Sequence, residues 1–510
     1  MTVESFVEGA ASLGAAGAAG AALIIDVPRA RARTMVAALI LAAVALEPLV
    51  WPRLHDQISS RPAIAGAGAV IGLAVIVAGA VLIRRRPALL GLLIFAALPF
   101  RVPLTIGGDT ANLLVPLYAV ILAGSLALAF GEAGLPDREL PKAVRRLDQV
   151  LALVLILYAV QALYSSDLEH AVKNIGFFYI PFVLLYRLLR QVPWSRDLIV
   201  HCFYVLIALA LLFAAIGFVE FATKHLLISN VKVLRANDIK PYFRVNSLFF
   251  DPNIYGRFLA LVMIALATRL LWSARGRDTA LLGLVLAVLW AGLVLSLSQS
   301  SFAALLVGLA IIAALRWKVW PVVGVVALAV AVGAGVAIVA PGAIHLNGGT
   351  KSALDSATSG RADLISGGWR MFQARPLQGY GSGGFEATYR KREHVRSKRI
   401  AAVSHTIPVT VAAEQGVIGV VVYVLLLVAA LAMLFGGGLR EAARARPPPT
   451  LDLVRFACAA CFCALVVHTL VYASFLEDPV TWVLLGLVAA LRAPQVAQRS
   501  GPVLDLSSAG

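Results

Sequence analysis

Charge is scarce in this sequence, and most of what there is has one sign. Only 14% of the 510 residues are Asp, Glu, Lys or Arg, with 44 basic against 27 acidic. Soluble globular domains carry about 25%. With 60% hydrophobic residues and a mean hydropathy of +0.87, a fold that has water as its main solvent is excluded. Cysteine is almost absent. Cys202, Cys458, Cys461 and Cys463 all lie in apolar stretches, which excludes a disulfide framework. The Cys458-x-x-Cys461-x-Cys463 run lacks a second ligand pair, so it reads as helix packing, and no metal or cofactor site is expected. Basic residues are also missing ahead of the first Ala/Gly-rich run, where Glu4 and Glu8 stand instead, which argues against a cleaved secretory signal. The net charge of +17 does not point to nucleic acid, because the basic residues punctuate apolar spans instead of forming one aromatic-laced patch.

What the sequence has in abundance is apolar runs of helix length. About 20 apolar residues cross the hydrocarbon core. Fourteen runs qualify: 35–51, 63–83, 88–105, 110–130, 147–164, 174–190, 198–222, 253–273, 279–297, 301–316, 319–340, 407–435, 453–473 and 479–492. Residues 9–25, rich in Ala and Gly, are marginal and are read as either spanning or lying at the surface. The expected fold is an all-α polytopic transmembrane bundle of about 14 helices. Arg29, Arg31 and Arg33, Arg84 to Arg86, Lys142 with Arg145 and Arg146, Arg187 with Arg190 and Arg196, Arg275 with Arg277, Arg316 with Lys318, and Arg440 to Arg446 fall on alternate connections. All can be cytoplasmic together. The expected division is then 1–222 (N-terminal helices), 223–252 (first outer loop), 253–340 (central helices), 341–405 (large extracytoplasmic loop with short amphipathic helices), 406–493 (C-terminal helices) and a cytoplasmic tail, 494–510.

The two long outer loops are themselves net basic, against the rule that orients the rest. Long loops translocate regardless of charge, so solvated charge explains any single residue; two basic loops together favour an anionic substrate. Within the spans, Glu47, Glu220, Arg257, Glu414 and His468 fall toward the outer ends and His201 nearer the inner, which suggests an outward-facing polar cavity.

The first loop ends Arg244-Val-Asn-Ser-Leu-Phe-Phe-Asp251-Pro252-Asn253 and runs into a span. Asp251 followed by Pro252 reads as a helix cap. Asn253 and Arg257 share a face, and Arg244 has no structural reason in the sequence; a guanidinium suits a diphosphate. In the second loop Leu364, Ile365, Trp369 and Phe372 make 361–374 an amphipathic helix expected to lie on the membrane, ended by Pro376. The glycines from Gly379 to Gly384 read as a sharp bend, not a nucleotide loop, since no βαβ unit surrounds them. His405 stands where the loop meets the membrane and Glu414 follows nine residues on.

In this order the segments resemble the O-antigen ligase and polymerase family of bacterial membrane glycosyltransferases. The matching motifs are Arg244 with Pro252-Asn253, Gly360-Arg361, Trp369, Pro376-x-x-Gly379-x-Gly381, His405, and Glu414-x-Gly416-x-x-Gly419. Thr406 stands where the family often has Asn, and Ser300-Ser301 where it commonly has Ser-Arg. The resemblance implies a metal-independent transferase of the plasma (inner) membrane that moves a glycan from an undecaprenyl-diphosphate carrier to a lipid or glycan acceptor hydroxyl, facing the periplasm or cell exterior. It implies Arg244 and Arg361, then Arg257 and Arg370, as diphosphate ligands, His405 as general base, and Glu414 as its orienting partner or rival. A polymerase of the same family, or a transporter of lipid-linked sugars, is the alternative; no internal repeat supports the transporter.

Overall fold

The computed structural model describes residues 3–106, 109–131, 140–228, 242–273, 276–317, 361–394, 406–444, 449–472 and 474–492, with positions 233–234, 237–238, 320 and 324 between them. The protein is an all-α polytopic bundle with one two-stranded hairpin among the described residues. The N-terminal part comprises α1 (Val3–Ile24), α2 (Pro28–Ser60), α3 (Pro62–Arg85), α4 (Ala88–Ala97), β1 (Val102–Ile106), β2 (Asp109–Leu113), α5 (Val115–Ala129), α6 (Lys142–Ala162), α7 (Leu168–Asn174), a π-turn over Ile175–Tyr179, α8 (Ile180–Leu189) and α9 (Arg196–Thr223). The remainder comprises α10 (Pro252–Ser273), α11 (Arg277–Ser296), α12 (Gln299–Arg316), α13 (Arg361–Ala374), α14 (Phe385–Arg392), α15 (Ile407–Phe435), α16 (Leu439–Arg444), α17 (Thr450–Thr469) and α18 (Pro479–Arg492).

Among the described residues ten helices, counting α7 to α8 as one, are long and apolar enough to cross a membrane, and α4, α5 and α18 are shorter apolar helices. The expected count of fourteen changes in identifiable places. Residues 9–25 belong to a helix of spanning length, α1, half of which is buried in the bundle. Its alanines Ala15, Ala16 and Ala19 are fully buried and let neighbouring backbones approach, the usual basis of helix association in lipid. The 88–105 run ends as a helix at Ala97, because β-branched Val102, Thr105 and Ile106, with Pro103 among them, favour the extended chain; β1 pairs antiparallel with β2, Val102 opposite Leu113. The span at 110–130 accordingly starts only at Val115. Four charged residues in the first two turns of α6 keep it out of the ten, although it packs between α1 and α15. The span expected at 319–340 lies outside the described residues.

The two ends of the bundle keep to themselves, as the alternation of basic connections requires. At one end Asp148 accepts from Tyr186 Oη (2.6 Å) and pairs with Arg190 (2.7 Å), and Trp272 Nε1 donates to Ala443 O (3.1 Å). At the other, the connections before α10, between α11 and α12 and before α18 touch one another, and the loop of 376–384 rests on the α6–α7 turn.

Helix α13 has the expected bounds, but its apolar residues divide between two surroundings. Leu364 and Met371 are buried against Phe385, Tyr389 and Ala413, so the helix packs on protein along that line. Ile365 and Trp369 stay exposed, with the Trp369 ring 5.2 Å from Phe372.

Candidate active site

The start of α10 organises the end of the bundle opposite the short basic connections. Asp251 caps the helix: its carboxylate accepts the Asn253 N–H at 2.7 Å and its carbonyl accepts from Ile254 and Tyr255. Its second oxygen accepts from Tyr472 Oη at 3.1 Å, which ties the cap to the loop after α17. The Asn253 side-chain oxygen accepts from Ser298 Oγ (2.9 Å) and from Arg244 Nη2 (3.4 Å). Arg244 Nε also donates to Ser296 O at 3.0 Å, so the guanidinium is braced on the α11–α12 turn. Ser298 Oγ lies 2.7 Å from Ser301 Oγ, and Ser300 Oγ lies 3.2 Å from Nε2 of the fully buried His468. Gly256 makes this approach possible, since a Cβ there would fall 2.8 Å from Ser296 Oγ and 2.9 Å from Ser301 Oγ.

Arg257 sits one turn below Asn253, on the same face. It is 3% exposed and forms an ion pair with the equally buried Asp478, which also caps α18 by accepting the Val480 N–H at 3.0 Å. Among the described residues Arg257 Nη1 has no hydrogen-bond partner, an orphaned cationic donor in a buried position. Arg257 lines a small pocket together with Arg101, Phe249, Phe258 and Asp478. Two guanidiniums around one carboxylate leave a net positive site, the arrangement that binds anionic oxygen.

Glu220 acts from behind. Its carboxylate accepts the N–H groups of Leu227, Asn246 and Ser247 at 3.0, 3.1 and 2.7 Å, pinning the segment that presents Arg244. Ser247 is held there at φ 52°, with its hydroxyl donating to Phe213 O at 2.9 Å.

A second assembly joins the large loop to α15. The helix breaks at Gly416 (φ 64°), which frees carbonyls that a continuous helix would use. The loop and α6 take them up: Tyr380 N–H donates to Ala413 O (3.2 Å), Gly381 N–H to Glu414 O (2.8 Å), and Gln161 Nε2 of α6 to Gln415 O (3.2 Å). In return Val417 N–H donates to Pro376 O at 2.7 Å. The Glu414 carboxylate accepts from Gly383 N–H (2.9 Å) and Phe385 N–H (3.0 Å), closing the seam at the start of α14. A Cβ at Gly379 would lie 2.2 Å from Glu414 O, and one at Gly416 2.2 Å from Leu377 O. The glycine run is therefore the bend expected of it, and the Pro-x-x-Gly-x-Gly and Glu-x-Gly segments are two halves of one joint. Beside it the Tyr380 ring lies between two cations, with Arg375 4.6 Å from its centroid and Arg392 Nη1 donating to its hydroxyl at 2.7 Å.

Of the residues expected at a site, Arg244 reaches Asn253, and Arg257 lies one turn below it, paired with Asp478. Arg370 lies on exposed α13, paired with Glu393 at 2.8 Å, and Glu414 belongs to the loop joint. His405 and the side chain of Arg361 lie outside the described residues. Arg101, Tyr472 and Asp478 are additions the sequence did not single out; the Asp478-Pro479 pair repeats the Asp251-Pro252 cap and was the available signal.

A search of curated proteins returns no match. The family model described as O-antigen ligase matches residues 284–424, which take in the Ser298–Ser301 turn, the large loop and the Gly416 break, while Arg244 and Arg257 precede the matched stretch. Over that stretch the chain is similar to the O-antigen ligase family, as its motifs suggest.

Proposed function

We propose that the protein transfers a glycan from an undecaprenyl-diphosphate carrier to an acceptor hydroxyl on the outer face of the plasma membrane, with arginines rather than a metal ion carrying the positive charge. The observation that carries this reading is the buried Arg257, whose Nη1 has no partner among the described residues, lining a pocket with Arg101 one turn from Asn253, which holds Arg244. Departing diphosphate gains charge as the glycosidic bond breaks, and preorganised donors in a water-poor site stabilise that charge more than water does. Arg244 and Arg257 are assigned to the diphosphate, Arg361 and Arg370 to the approach from the large loop, and His405 to the acceptor proton. Glu414 is assigned a positioning role, since both carboxylate oxygens accept backbone N–H groups. The outer face is supported by the segregation of the short basic connections to the opposite end of the bundle.

The test supplies purified protein with carrier-linked glycan and candidate acceptors and measures undecaprenyl diphosphate released. Release by wild type, lost in Arg244→Ala and His405→Ala, is the expected result. Movement of the lipid across vesicles without release would replace the transferase by a transporter. Growth of the glycan on the carrier would make the acceptor another glycan, as in a polymerase.

A further inference from the structure

Below the arginine cluster the bundle encloses a cavity of about 270 Å³ that the transfer chemistry does not use. Helices α4 and α9 form one wall, α10, α17 and α18 the other, and α11 borders the opening. The lining is apolar over most of its length, from Phe203 and Leu206 to Val262, Ala457 and Leu484. Its well-exposed lining residues, Tyr204, Leu281 and Asp278, all belong to the ends of α9 and α11 that carry the short basic connections, so the mouth opens there, between two helices. At the far end Leu98, Phe258 and Val480 close it off from the pocket of Arg101 and Arg257.

Polar side chains gather near the mouth. The Thr268 hydroxyl is used on Ile264 O at 2.9 Å, and Trp194 Nε1 on Leu189 O at 2.9 Å. Arg269 is different. It is half-buried, lines the cavity, and makes no ion pair or hydrogen bond among the described residues. A cation at the edge of an apolar chamber within a membrane calls for an anion at headgroup depth and a hydrocarbon behind it.

We propose that this cavity holds one acyl chain of a phospholipid from the leaflet at the basic end of the bundle, with the lipid phosphate on Arg269. An apolar chamber of this kind excludes polar solutes and gives water too few partners, whereas an alkyl chain fills it. The carrier's polyprenyl chain is the poorer occupant. Its diphosphate belongs at the opposite end, and Leu98, Phe258 and Val480 block the direct route. Because Phe258 both roofs the cavity and follows Arg257 on α10, an acyl chain there supports the turn that carries that arginine.

The experiment is native mass spectrometry of the intact chain extracted in mild detergent, with and without refilling from vesicles of phosphatidylglycerol. Wild type is expected to retain one phospholipid per chain. Arg269→Gln should lower retention at least tenfold while Arg269→Lys keeps it, and Ala457→Phe should abolish it by occupying the chamber. Arg269→Gln alters no packing contact deep in the bundle, so the test does not depend on Ala457→Phe folding. Equal phospholipid retention by all variants, no retention by wild type after refilling, or a polyprenyl phosphate as the retained species would overturn the proposal. None of these readouts depends on glycan transfer.

Discussion

Arg257 and Asp478 form an ion pair inside the bundle, with their side chains only 3% and 2% exposed, and so join the start of α10 to that of α18. Removing either partner leaves an uncompensated buried charge, at a cost of about 3–5 kcal/mol. Arg257→Ala and Asp478→Ala are each expected to lower the unfolding temperature in detergent markedly. The double variant Arg257→Met/Asp478→Leu removes both members of the pair but leaves Arg101 without its carboxylate, so it should recover only part of the loss, with a further cost of about 1 kcal/mol for the missing α18 cap. It should still release no carrier diphosphate. Thermal unfolding and the release assay separate the two effects, and an active double variant would remove Arg257 from the site.

Gly416 and Leu377 make the loop joint sensitive to a single methyl group. In Gly416→Ala a Cβ must occupy a backbone at φ 64° and lie 2.2 Å from Leu377 O. Strain and displacement together should cost at least about 2 kcal/mol, with the loop leaving α15 first. Gly72→Ala is the control, since a Cβ there meets nothing within 4 Å. Limited proteolysis of 376–394 should accelerate in the first variant and remain unchanged in the second.

These contacts also indicate what could be read from the sequence. Asp251 before Pro252 declared a helix cap, and the structure has one, because capping is a local interaction between a carboxylate and N–H groups two residues on. Helix α13 was legible for the same reason, through its 3.6-residue period. Which of its apolar residues meet protein was not, since Leu364 and Met371 find partners more than a dozen residues away in Phe385 and Ala413. The hairpin was hidden because hydropathy counts Val102 to Thr105 as span, although β-branching and Pro103 favour extension. Arg101 and Asp478 could not be connected to Arg257 by any spacing, being brought together only by the packing of α4, α10 and α18. Glu220 and Glu414 looked like cavity residues because an acid in a span is costly; the structure meets that cost with backbone N–H groups instead.

Glu414 offers a direct separation of positioning from catalysis. In Glu414→Gln one carboxylate oxygen becomes an NH2 group facing a backbone N–H, which costs about 1–3 kcal/mol at a buried site. Hydrogen exchange at Gly383 and Phe385 should therefore accelerate, and transfer should fall together with it, while the pH profile keeps its shape. A loss of transfer with unchanged exchange at those amides would instead make Glu414 part of the chemistry.

Glu477 precedes the Arg257 partner Asp478 in the loop between α17 and α18, and burial pushes its carboxyl up from 4.5 to about 7. A raised carboxyl pKa means that the folded protein prefers the neutral acid. Its favourable contribution is complete below about pH 4.5 and is lost as pH rises through about 7. Glu477→Gln keeps the shape of the neutral acid and removes the titration, so its advantage over wild type should appear only at the alkaline side of that window. At pH 8 the variant should be more stable by about 1–2 kcal/mol, once the partial exposure of the side chain is allowed for. At pH 5 the two proteins should unfold at nearly the same temperature. Thermal unfolding across pH 5–8 checks this, and a constant difference between the two curves would mean that Glu477 is ionised throughout in the folded protein.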